Sequence, residues 1–246
     1  MVTRYHIGAK GLRGDISAYA KRFDLLEVPT GATGEKGVMS ATALRRWRKA
    51  VPPHFEFAAI AGPKLSKLVS GDAYEAERAG LVAAVEALQA RTILLQTPME
   101  VTPSKVWRER MSKLLDRLPR DATQIAWEPR GVWEIEDAAV AARAWGIVLI
   151  IDATRDPVPA GPVVYARLRG IGETHTYGSA ALDRVVRAIG ERREAYVVLE
   201  TTTALAECKR LRALAQGGTR TAKVGGGGRI IRPRSPLVRV KDDEQE

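Results

Sequence analysis

The stretch Thr123–Trp133 reads TQIAWEPRGVW, and its pattern recurs along the whole chain. Side chains alternate across a strand, so Gln124, Ala126 and Glu128 share one face while Ile125 and Trp127 share the other. Bulky apolar residues on one face, with little polar surface opposite, describe a strand buried on both sides. Glu128 ends the run, and Pro129 withdraws the next backbone donor. Similar runs stand at Arg4–Gly8, Phe23–Val28, Phe55–Ala61, Thr92–Gln96, Ile147–Asp152, Val163–Leu168 and Ala195–Glu200, separated by stretches of helical period. Eight such units predict an α/β fold of parallel strands jacketed by helices, closed as a (β/α)8 TIM-type barrel. A doubly wound open sheet is the competing architecture. It would form one crevice where strand order reverses and would not need all the strand ends to converge.

Polar residues close the runs at one parity. Strand two groups Phe23, Leu25 and Glu27, and strand four groups Leu94 and Gln96. Strand six groups Val148, Ile150 and Asp152; strand seven Tyr165, Arg167 and Arg169; strand eight Tyr196, Val198 and Glu200. In a barrel the apolar members stack into a plug beneath a ring of Glu27, Gln96, Glu128, Asp152, Arg167 and Glu200. That ring lies at the C-terminal strand ends, where such barrels place their chemistry. Charges beside a packed core are costly unless paired or liganded. Lys10, Arg130, Arg167 and Arg169 could neutralise the carboxylates, so a plain salt-bridged lattice stands beside the reading as a working site.

The chain of 246 residues is long enough for one barrel, and 45% apolar with 28% charged residues is enough for a proper core. A net charge of +10 favours anionic partners: phosphates, nucleotides or nucleic acid. The single cysteine, Cys208, forbids an internal disulfide and reads as a small buried residue. No basic-then-apolar leader opens the chain, and runs such as Ile147–Ile151 are far too short to span a bilayer. The expectation is a cytoplasmic protein without a membrane partner; oligomeric state is not legible.

Local signals place the helices. Asp72 three residues before Glu75 resembles a capping box, ahead of the stripe Leu81, Val85 and Leu88. Thr102 and Pro103 read as N-cap and first helical residue, followed by Trp107, Met111, Leu114, Leu115 and Leu118 as core. Gly31–Gly37 lacks the order of a phosphate-binding loop, and Gly8, Gly11 and Gly14 make no dinucleotide fingerprint. The barrel domain is expected over 1–216. Residues 217–246, with Gly225–Gly228 and seven basic against four acidic residues, read as a flexible Gly/Arg-rich tail.

These residues resemble the YecE-like family (domain of unknown function 72), whose members are TIM-type barrels. Glu128-Pro129-Arg130-Gly131-Val132-Trp133 is similar to the family's E-x-R-x-x-W segment. Further matches are Ile7-Gly8 with Gly11, Glu27, Val51 to Phe57, Leu94-Leu95-Gln96 with Pro98, Asp152, and Tyr165 to Gly170 with Tyr177. The chain departs from the pattern at Ile60, where a lysine is usual, and at Lys67 and Arg169, where histidines are. It departs again at Leu199-Glu200-Thr201, where paired asparagines are usual. The resemblance implies a barrel and a mouth pocket; the family has no settled activity.

The residue types of the ring bound its chemistry. His6, His54 and His175 are too dispersed for zinc. No cofactor motif stands out, although the carboxylates could hold magnesium or manganese through oxygen. The leading expectation is a hydrolase acting on an anionic, phosphate-bearing substrate. Arg130, Arg167 and Arg169 would clamp the anion. Glu128 would be general acid or base and Glu27 and Asp152 would orient, with His175 a further acid–base candidate. Trp133 would supply a stacking wall, and Gln96, Lys10, Tyr177 and Glu200 would complete the binding set. The alternatives are a non-catalytic nucleic-acid-binding barrel and a divergent member that has lost activity.

Overall fold

The structure, a computed structural model, describes residues 2–12, 14–31, 38–170 and 176–221, the last five without their side chains. Eight strands close into a barrel in chain order, every neighbouring pair parallel. They are β1 (Arg4–Ala9), β2 (Leu25–Pro29), β3 (Glu56–Ile60), β4 (Thr92–Thr97), β5 (Gln124–Pro129), β6 (Val148–Ile151), β7 (Val163–Arg169) and β8 (Glu194–Glu200). The helices are α1 (Ile16–Ala20), α2 (Ala41–Lys49), α3 (Pro63–Ser66), α4 (Asp72–Leu88), α5 (Lys105–Leu115), α6 (Ile135–Trp145), α7 (Ser179–Ile189) and α8 (Ala204–Thr221). The α8 helix runs past the expected boundary at Gln216; residues 222–246 lie outside the described residues.

Alternation along each strand divides the apolar residues into two cores. Leu25, Ala58, Leu94, Ala126, Ile150, Tyr165, Tyr196 and Val198 fill the barrel. Neighbours of the opposite parity, among them Ile7, Leu26, Phe57, Ile93, Trp127 and Val197, face the helices. Barrel interiors are packed solid in this way, so ligands bind above the plug and not through it. At the opposite, N-terminal end Arg91 closes the barrel between Glu56 (3.0 Å) and Glu194 (3.5 Å).

Three local expectations need correction. No helix joins β6 to β7, because Pro157, Pro159, Gly161 and Pro162 interrupt any helical run across 152–162. The capping box at Asp72 does not form. Gly71 is the N-cap, and Glu75 turns outward to grip Arg117 (2.6 and 2.8 Å) and Arg78 (3.1 Å). The α5 helix starts at Lys105 with Ser104 as N-cap, so Thr102 and Pro103 precede it. Val101 is buried and its carbonyl accepts the Trp133 indole N–H at 2.7 Å, which holds that segment against the barrel as a loop.

Candidate active site at the barrel mouth

Arg167 projects inward from β7 and lies at the centre of the mouth, buried with its partners. Its Nε and Nη2 donate to the two oxygens of Glu27 at 3.0 and 2.7 Å, a fork-on-fork pairing, and Nη1 donates to Glu128 Oε2 at 2.7 Å. Burial alone would lower the guanidinium pKa, but the charge of Glu27 reverses that and holds it above the ordinary arginine value. Beneath, the fully buried Tyr165 hydroxyl donates to Glu27 Oε1 at 2.7 Å. Burial first and the neighbouring Glu27 second push the phenol far above its usual value, so it is a fixed donor.

Glu128 comes from β5 directly opposite Gln96 of β4, and the Gln96 amide donates to Glu128 Oε2 at 2.5 Å. Its other oxygen, Oε1, meets Arg169. Arg169 also lies 3.9 Å from Glu200 Oε1, and Glu200 accepts from Lys10 Nζ at 3.0 Å. Glu27, Glu128 and Glu200 are thus interleaved with Lys10, Arg167 and Arg169. The structure brings these expected residues, together with Gln96, into one connected network.

The others stand apart from it in graded ways. Asp152 is buried but serves its own loop: Oδ1 accepts from the Thr154 N–H (3.0 Å) and hydroxyl (2.5 Å), and Oδ2 accepts the Arg169 N–H (3.2 Å). Its effect on the mouth is to pin the Arg169 backbone. Tyr177 is likewise a buried strut, its hydroxyl donating to the Arg169 carbonyl at 2.7 Å and its N–H to Glu207 Oε1 at 2.6 Å. Trp133 packs edge-on against Trp127 and Trp145 with Arg108 over its ring, so its faces are largely committed. His175 lies outside the described residues.

Arg130 stands on the rim, in a cleft of about 510 Å³ over the ends of β2 to β5. Lys67 shares the cleft, Gln96 forms part of its wall, and Ile60, Pro29, Pro63 and Pro98 make it apolar. Both cations are exposed, and no acidic side chain pairs with either among the described residues. Ser66, also in the lining, is buried with an Oγ that has no hydrogen-bond partner among the described residues. A smaller cavity of about 220 Å³ reaches Glu128, Asp152, Arg167 and Arg169. Tyr165 falls within the stretch that resembles the family but not among the expected site residues, and Ser66 carries no sequence signal for a site. Lys67 is visible only as a departure from the family pattern.

Among the described residues no three His, Cys, Asp or Glu side chains group as a metal set. Magnesium or manganese would have to compete with Arg167 and Arg169 for the same oxygens. Nor is any helix there long and apolar enough to cross a membrane.

Eight parallel strands closing in chain order, with charged side chains gathered at their C-terminal ends, define a TIM-type (β/α)8 barrel protein. The chain belongs to the DUF72 family, described as "protein of unknown function DUF72", whose model matches residues 4–225. Among solved structures, a DUF72 family protein of Enterococcus faecalis is similar at 15% identity and TM-score 0.71, covering 86% of this chain and 95% of that one. A DUF72 family protein of Thermotoga maritima is similar at 16% identity and TM-score 0.63, covering 89% and 99%. The same barrel is shared with endonuclease IV of Thermus thermophilus, at 13% identity and TM-score 0.56, covering 87% and 99%. No curated protein matches the chain.

Proposed function

We propose that this protein binds a small phosphate-bearing ligand at the barrel mouth and hydrolyses it. The observation that carries the reading is the cleft, whose lining holds both Lys67 and Arg130 without an ion-pair partner among the described residues; Glu77, the carboxylate behind Gly62, is engaged by the Leu65 N–H at 2.8 Å. Two such cations in one concavity with apolar walls focus the field and draw anions in. Ser66, in the same lining, has a buried hydroxyl with no hydrogen-bond partner among the described residues. Gln96 links the cleft to Glu128, the general acid–base candidate, while Glu27 acts through Arg167, holding it in place. Arg167 is therefore a scaffold for Glu128 and not a free clamp; the ligand's charge falls first to Arg130 and Lys67, and next to Arg169, which meets Glu128 on the far side of Gln96 in the adjoining smaller cavity.

Calorimetric titration with inorganic phosphate and a mononucleotide tests this on the wild type, Arg130→Ala and Lys67→Ala. A hydrogen bond to a charged group is worth about 1.5–3 kcal/mol, so each variant should bind roughly tenfold more weakly or worse. Equal binding by all three proteins would remove the cleft from the argument.

A nucleic-acid ligand is the second reading, supported by a specific surface. The α2 helix carries Arg45, Arg46 and Lys49 and contains no acid. Phosphodiester binding through such residues releases counterions and weakens steeply with salt. Affinity for single- or double-stranded DNA that stayed level between low and physiological salt would dismiss it.

A further inference from the structure

Arg167 and Arg169 stand two residues apart on one face of β7, yet they differ in how firmly they are held. The Arg167 side chain is 6% exposed and the Arg169 side chain 45%. Withdrawing Arg167 would leave Glu27 with no other cation in contact among the described residues. Withdrawing Arg169 strands nothing: Glu128 keeps Arg167 and Gln96, and Glu200 keeps Lys10. The Arg169 backbone, meanwhile, is tied on both sides of its Cα. Its N–H donates to Asp152 Oδ2, and its carbonyl accepts from the Tyr177 hydroxyl and from Arg155 Nη2 at 3.3 Å. The Cα is therefore fixed, while the half-exposed guanidinium at the end of a long side chain is held by its ion pairs to Glu128 and Glu200.

We infer that an anion entering the mouth exchanges places with Glu128 as the partner of Arg169, so that the ligand's own charge uncovers Glu128 Oε1. The inference rests on the phosphate reading above and deepens it. Arg169 becomes a ligand-gated cover on the candidate base, and a neutral molecule of the same shape would leave that cover in place. The exchange conserves ion pairing: one guanidinium–carboxylate contact breaks and one guanidinium–phosphate contact forms, and the second suits the planar fork equally well. Asp152 and Tyr177 are positioning residues in this device, since they hold the backbone from which Arg169 swings.

Arginine side-chain NMR on the wild-type protein, titrated with inorganic phosphate in parallel with calorimetry, reads the exchange directly. The Arg169 Nε–H resonance should shift saturably, with a midpoint equal to the calorimetric Kd, while Arg167 stays still. A double-mutant cycle then separates exchange from simple charge repulsion. Glu128→Gln should tighten phosphate binding several-fold in the wild-type background. In the Arg169→Gln background most of that gain should vanish, because no guanidinium is left to compete for. A gain of the same size in both backgrounds, or phosphate binding with an unmoved Arg169 resonance, overturns the exchange and leaves the cleft standing. Failure of phosphate to bind at all removes both.

Discussion

At the scale of single residues, the mouth is governed by what each charge loses when its partner goes. Arg167 makes three hydrogen bonds to two carboxylates, each buried as deeply as itself. Arg167→Ala would leave buried Glu27 without a cation and Glu128 with only the half-exposed Arg169, a loss of about 3–5 kcal/mol. Urea unfolding should show it, and adding Glu27→Gln to that variant should recover part of the loss. A penalty under about 1 kcal/mol would mean that water reaches the lattice freely. The inward parity of Glu27, Glu128 and Arg167 is legible in the chain, since strand alternation is a local property. Their pairing is not, because Arg167 and Glu27 stand 140 residues apart. Nor does local pattern distinguish Arg167, locked in place, from Arg169, which shares its face but rises into solvent.

At the scale of elements, the seam between β1 and β2 is a tight part of the barrel. A Cβ on Gly8 would lie 2.4 Å from the Leu25 carbonyl oxygen, a backbone atom that no rotamer change can move aside. Gly8→Ala should therefore cost about 3 kcal/mol or more, or abolish folding. Thermal unfolding checks it, and a variant with unchanged midpoint would show that the seam can open. Strand identity and order follow from apolar runs and their spacing. Helix starts do so less well: at Asp72 and Thr102 a suitable local motif loses to tertiary partners, Arg117 in one case and the buried Val101 with Trp133 in the other. The bare β6–β7 connection is written in its prolines, although the expectation of regular units overrides them.

For the whole molecule, stability should depend on pH through a histidine inside the barrel. His6 is buried, stacked 4.7 Å from Tyr196, and its Nε2 has no hydrogen-bond partner among the described residues. Burial pushes its pKa down from 6.5 to about 4; Arg4 and Arg91 add to the shift, and Glu194 and Asp24 oppose it. The unfolded chain therefore binds the extra proton between these values, so the His6 contribution to stability is lost as pH drops from about 6.5 to about 4. The linked loss is on the order of 3 kcal/mol. Denaturant midpoints at about pH 7 and about pH 4.5 measure it, and His6→Phe should flatten that part of the profile. An unchanged slope would mean that the imidazole charges inside the fold. What the chain determined alone was the set of eight strands, their inward residues (Phe23 excepted, which precedes β2 and packs in the helix-facing core) and the polar ends. All of that follows from alternation and apolar spacing, which act between near neighbours. Only closure of the barrel decided which charge meets which, and left Lys67 and Arg130 unpaired among the described residues. Partners at the mouth come from strands far apart in sequence, and burial, which sets the strength of each pairing, exists only once the sheet has closed.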